Sequence, residues 1–119
     1  MTIRKTNPDY LNGVPELLIL QLLDRQPMHG YDLVAAIHAA SGQKLDFGEG
    51  CIYPVLHRLE AQKLLTSRRE TVGSRSRIIY RVTKPGQARL ADSRANWQEI
   101  VAAVSSILQG GEHGAPALA

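Results

Sequence analysis

The chain has 119 residues, 44% of them hydrophobic and 5% aromatic, with a formal net charge of +3. That length bounds it to one domain with one modest core, and that hydrophobic share excludes a wholly disordered chain. A lone cysteine excludes an intrachain disulfide, and no apolar run reaches the roughly 18 residues of a membrane span; with a start, MTIRKTNPDY, that lacks a secretory h-region, these point to a soluble, cytoplasmic protein.

Residues 1–12 read as a polar N-terminal arm. A first helix is predicted from about Pro15, since proline suits a first helical turn, and it stops before Pro27. Leu17, Leu18, Ile19, Leu20, Leu22 and Leu23 surround that helix almost completely, so part of its surface is expected to face a partner. A second helix opens at His29-Gly30-Tyr31-Asp32 and ends at Gly42, a natural C-terminal glycine. A third, 49–63, carries Ile52, Val55, Leu56 and Leu59 on one stripe and leaves Tyr53, His57, Arg58 and Glu60 pointing away from it.

Two strands follow, about 65–71 and 77–82, the second alternating Ile78, Tyr80 and Val82 with Ile79, Arg81 and Thr83. Between them 72–77 forms a small-residue turn with a basic tip, a wing. Thr83 is the predicted N-cap of a last helix, 84–108, about 35 Å long at 1.5 Å per residue. Trp97, Val101, Val104 and Leu108 are spaced 4, 3 and 4, the seam of a helix pair, with Leu90 and Ile100 included in the predicted contact. Such a stripe lies in water unless a second subunit covers it, which predicts a homodimer. Residues 109–119, rich in glycine and alanine, read as a disordered tail.

Charge is distributed unevenly. Residues 57–94 hold ten Lys or Arg against Glu60, Glu70 and Asp92, whereas residues 1–56 hold four against six acids. The surplus gathers around the third helix and the wing, as a nucleic-acid partner requires. The fold class read from this pattern is mainly α with a small β-hairpin: a winged helix-turn-helix domain over 13–83 plus a long C-terminal dimerisation helix.

The segments LLILQLLDRQPMHGYDLVAAI, GEGCIYPVLHRLEAQKLL and RIIYRVTKPGQARL together resemble the PadR family of transcriptional regulators. The resemblance rests on His29-Gly30-Tyr31, Tyr53-Pro54, Leu59-Glu60, Tyr80, Thr83 and Gly86, and covers residues 15 to about 108. The chain is similar to the short subclass with one C-terminal helix. Gly48 stands where a hydroxyl or amide cap is usual, and Cys51 where threonine or serine is common. The resemblance implies a homodimeric repressor on a palindromic operator, often released by a small ligand.

The expected DNA contacts are Tyr53, Pro54, His57, Arg58 and Lys63 on the groove helix, with Ser74, Arg75 and Arg77 at the wing. Two roles stay open for Tyr53, groove contact or packing against helix two. Lys63, Arg68 and Arg69 serve equally well as solubilising charges. Trp97 is expected first as a packing residue and second as the wall of a site for a small apolar or aromatic effector. Catalysis has little support: Cys51 and His57 are six apart, too far round a helix for a nucleophile–base pair, and no phosphate-binding glycine loop occurs. The four histidines show no metal-ligand spacing, and no cofactor is expected. The rival reading is a winged-helix protein-interaction module without DNA binding.

Overall fold

The computed structural model describes residues 13–110, so the predicted arm at 1–12 and the tail from 111 onward lie outside the described residues. The order is α1 (Val14–Arg25), β1 (Met28–His29), α2 (Gly30–Ala40), α3 (Glu49–Ala61), β2 (Leu65–Val72), β3 (Arg75–Val82) and α4 (Lys84–Leu108). Helices α1 to α3 pack round a core of Ile19, Leu20, Leu23, Leu33, Ile37, Ile52, Leu56 and Leu59, closed by Phe47, Leu65, Tyr80 and Leu90. No helix among the described residues is long and apolar enough to cross a membrane.

The helix ends follow from local chemistry. At the end of α2, Gly42 (φ 67°) lets its own N–H and that of Gln43 donate back to Ala39 and His38. That is the paired closure glycine favours. The same closure ends α3, with Lys63 and Leu64 donating to Glu60 and Leu59, but there the left-handed residue is Lys63 (φ 63°). Helix α3 is therefore two residues shorter than predicted. Pro54 sits in its second turn, where its missing N–H leaves the Gly50 carbonyl without a helical donor.

The sheet has three strands, in the order β1-β3-β2, all antiparallel. Sequence reading missed β1, whose two residues pair Met28 with Tyr80 and His29 with Ile79. The β2–β3 ladder runs to Val72–Arg75, so the turn is Gly73-Ser74 alone, with φ of 63° at Gly73. Glycine at the first central position is what a two-residue hairpin turn of this kind asks for. The wing is thus a stiff ribbon with a tight end rather than a six-residue loop.

Thr83 joins the ribbon to α4. Its N–H donates to the Leu64 carbonyl (3.1 Å), its hydroxyl donates to the Lys63 carbonyl (2.7 Å), and the same oxygen accepts from the Gly86 N–H (3.1 Å). The predicted N-cap is borne out, and the residue also pins the end of α3. Helix α4 packs on α1 only through its first turns, where Gly86 and Leu90 are buried.

Candidate nucleic-acid interface

Helix α3 turns Ile52, Leu56 and Leu59 inward. The opposite side is the exposed row Gly50, Pro54, His57 and Ala61, spaced as one helical face. His57 is the single side chain in that row with hydrogen-bonding groups; Pro54 and Ala61 present small apolar surfaces. The face is narrow, and an approaching partner meets one imidazole flanked by carbon.

The two neighbours predicted to share that face are turned aside. Tyr53 is half-buried against the start of α2: a β-carbon on Gly30 would lie 3.1 Å from its ring. Its ring centroid is 6.1 Å from that of His57. Burial pushes the Tyr53 phenol above its ordinary value, and the charges of Glu49 and Asp32 push it the same way. The phenol therefore stays protonated at neutral pH.

Arg58 donates from Nη1 to Glu16 Oε1 at 3.0 Å, while Arg89 on α4 donates to the other carboxylate oxygen at 3.0 Å. The Glu16 side chain is only 13% exposed. One carboxylate of α1 thus holds two guanidinium groups, one from α3 and one from α4. Sequence reading missed Glu16, and no local signal marks it, because its partners are 42 and 73 residues away. A further contact ties α3 to the ribbon, where the Ser67 hydroxyl donates to the Glu60 carboxylate.

On the outward face of the ribbon, Glu70 lies 3.6 Å from Arg68 and 3.5 Å from Arg81. Arg75 and Arg77, nearer the tip, make no ion pair among the described residues. Arg69 instead donates to the Ser76 hydroxyl at 3.0 Å on the other face. Ser74 and Lys63 are exposed, the first in the turn and the second at the left-handed end of α3. Arg75 and Arg77 thus share with Arg69 the absence of an ion pair among the described residues, although Glu70 stands opposite Arg77 in the ladder.

The α4 seam is divided. Leu90 is 4% exposed and belongs to the chain's own core. Trp97 is 42% exposed, Leu108 79%, and Ile100, Val101, Val104 and Ile107 also face solvent. Six large apolar side chains on one free helix form an open patch of the sort that marks an association surface. Cys51 is partly buried, and burial pushes its thiol up, which keeps it in the less reactive protonated form. Among the described residues no group of three or more His, Cys, Asp or Glu is placed to hold a metal ion.

Comparison with known proteins agrees with this fold. The model of the transcriptional regulator PadR-like family matches residues 19–92. A curated Mycobacterium tuberculosis protein, Transcriptional regulator Rv3488, is 42% identical over 66 residues, 56% of this chain and 59% of that one. Transcriptional regulator YqjI of Escherichia coli is 33% identical over 88 residues, 74% of this chain and 37% of that one. The matched region thus spans less than two thirds of either relative. Among solved structures, a PadR family transcriptional regulator from Eggerthella lenta superposes with a TM-score of 0.73 at 33% identity, covering 84% of this chain and 86% of that one. A PadR-like regulator from Bacillus cereus gives 0.74 at 27% identity, covering 86% and 98%.

Proposed function

The chain belongs to the PadR-like family of transcriptional regulators, and from that premise we propose that it is a cytoplasmic, homodimeric repressor of a near-palindromic DNA operator. The unit 13–83 binds DNA and α4 makes the dimer. The family is one of regulators, not of enzymes.

In this reading the outer row of α3 enters the major groove. His57 meets base edges, while Pro54 and Ala61 are small and apolar enough to meet a thymine methyl. Arg75 and Arg77 on the wing contact backbone phosphate, with Ser74 and Lys63 as lesser contacts. Arg58 reaches a base only by giving up Glu16. Tyr53 acts by seating α3 on α2. Two copies of α3 related by a two-fold then engage half-sites about one helical turn apart. Trp97, Ile100, Val101, Val104 and Leu108 meet their counterparts along α4, and a small apolar or aromatic effector beside Trp97 releases the operator.

The observation that carries the proposal is the pair Arg75 and Arg77, neither held in an ion pair among the described residues, on a stiff ribbon beside a reading helix whose outer row is open. The test is titration of duplexes selected from a random pool by the full chain, over a salt series. Arg75→Ala and Arg77→Ala should weaken selected and unselected duplexes alike and make the salt slope shallower by about 0.9 per lost phosphate contact. His57→Ala should instead alter which base is preferred, by about 1–3 kcal/mol. Equal binding by all variants on every duplex would replace this reading with a protein-interaction module.

A further inference from the structure

Between the start of α2 and the wing lies a cleft of about 340 Å³, walled by His29, Tyr31 and Asp32 on one side and Arg75, Ser76 and Arg77 on the other. The two walls are far apart in sequence, and β1 brings them together, because the His29–Ile79 pair anchors the start of α2 to β3.

The chemistry of the cleft is that of an anion seat. Two guanidinium groups line the cleft with one carboxylate, Asp32, and none of the three forms an ion pair among the described residues; Glu70, opposite Arg77 in the ladder, is engaged by Arg68 and Arg81. The eleven-residue α2 has His29 at its N-cap position with no side-chain cap, so the first-turn N–H groups keep their hydrogen-bonding capacity. The partial positive charge of a helix start adds to that of the arginines. Tyr31, 59% exposed, supplies a hydroxyl, with its ring 6.3 Å from that of His29. The Nδ1 of His29 is shut off from solvent and has no hydrogen-bond partner. A buried polar atom left so is costly, and here it belongs to a residue of the cleft wall.

We infer that this cleft seats one phosphate diester of the DNA backbone, gripped between Tyr31 with the first turn of α2 on one side and Arg75 with Arg77 on the other. The inference rests on the DNA-binding reading and adds two things to it. The wing arginines act on a defined phosphate together with α2, and Tyr31 becomes a DNA contact. The seat is also rigidly attached to the reading helix. A β-carbon on Gly30 would come within 3.1 Å of Leu56 Cδ1 and of Tyr53, so α2 starts directly on α3. Fixing one phosphate there fixes how His57 meets the base edges.

A methylphosphonate scan tests this, replacing one phosphate at a time with a neutral group in a duplex selected by the full-length wild type. One position in each half-site should weaken wild type by about tenfold, the worth of a hydrogen bond to a charged group. Tyr31→Phe and Arg77→Gln should each weaken the unmodified duplex. For both variants, neutralising that same position should then cost much less. Tyr31→Phe should leave the salt slope unchanged, since a neutral hydroxyl displaces no counterion, whereas Arg77→Gln should make it shallower. A scan in which the two variants keep wild-type sensitivity everywhere overturns the seat while leaving DNA binding intact. A flat scan with tight binding of inorganic phosphate assigns the cleft to a free anion and overturns it as well. Failure of the wild type to select any duplex removes the DNA-binding reading itself, and the seat with it.

Discussion

Replacing Gly86 with alanine puts a β-carbon 2.1 Å from the Leu64 carbonyl oxygen and 2.8 Å from Val82 Cγ1, where ordinary contact begins near 3.4 Å. The nearest obstacle is backbone, so relief requires α4 to move by more than an ångström. That movement is opposed by the Thr83 knot, in which the Leu64 carbonyl accepts from Thr83 N–H and the Thr83 hydroxyl serves Lys63 and Gly86 together. Losing the cap costs about 1 kcal/mol, and two strained hydrogen bonds about 1 kcal/mol each. The expected destabilisation is about 3 kcal/mol, which lowers Tm by about 12–24 °C in a domain of this size. Two other glycines supply the contrast. At Gly50 nothing lies within 4 Å of the added carbon, so alanine should stabilise by about 0.5–1 kcal/mol. At Gly30 the neighbours are the side chains of Leu56 and Tyr53, 3.1 Å away, which yield more easily than backbone. Denaturant unfolding followed by circular dichroism, at one fixed protein concentration because any self-association would shift apparent stability, should rank Gly50→Ala above wild type, then Gly30→Ala, then Gly86→Ala. A Gly86→Ala protein within 1 kcal/mol of wild type would refute the account of the α4 joint.

Truncation after Ser93 removes the exposed part of the α4 stripe and should leave monomer or aggregate in sedimentation; an intact chain that is itself monomeric at micromolar concentration would end the dimer reading. Glu16→Gln should cost about 1 kcal/mol at low salt, because both partners are largely exposed, and the cost should shrink as salt rises; a salt-independent loss would mean that packing, not charge, holds the site. The Tyr53 and Tyr80 phenols are pushed up first by burial, so folding favours their protonated forms. Their contribution is intact below the ordinary phenol value of about 10 and is lost as pH rises through the raised folded values. Tyr80→Phe should therefore flatten the alkaline decline in stability, read by thermal melts between neutral and strongly alkaline pH.

Most of the fold was legible because its signals are local. Pro15, Gly42 and Thr83 mark helix ends through their own backbone preferences, and the apolar spacing of Ile52, Leu56 and Leu59 marks the buried side of α3. Features that depend on distant partners were not legible. Strand β1 exists only because Ile79 and Tyr80 lie beside it, and two residues carry no periodicity of their own. Glu16 reads as an ordinary first-turn acid until α3 and α4 are folded against it. Leu90 lies seven residues before Trp97 and so fits the predicted seam, yet the first turns of α4 rest on the domain itself. The αL residue ending α3 is a lysine, so the usual glycine marker was missing and the helix was read two residues too long.

Because Thr83 anchors α4 to both the ribbon and the end of α3, α4 works as a lever whose fulcrum is at the base of the wing. Its 25 residues extend about 37 Å from that point at 1.5 Å per residue. By that geometry a tilt of about 5° at the fulcrum moves the Leu108 end by about 3 Å but the Trp97 position by only about 2 Å. The leverage runs in reverse as well. A displacement of given size applied at the free end turns the wing through a smaller angle than the same displacement applied at Trp97. A molecule wedged beside Trp97 would therefore have nearly twice the angular effect on the winged unit of one wedged beside Leu108. The position of the lone tryptophan, midway along the shaft, favours rotation over reach.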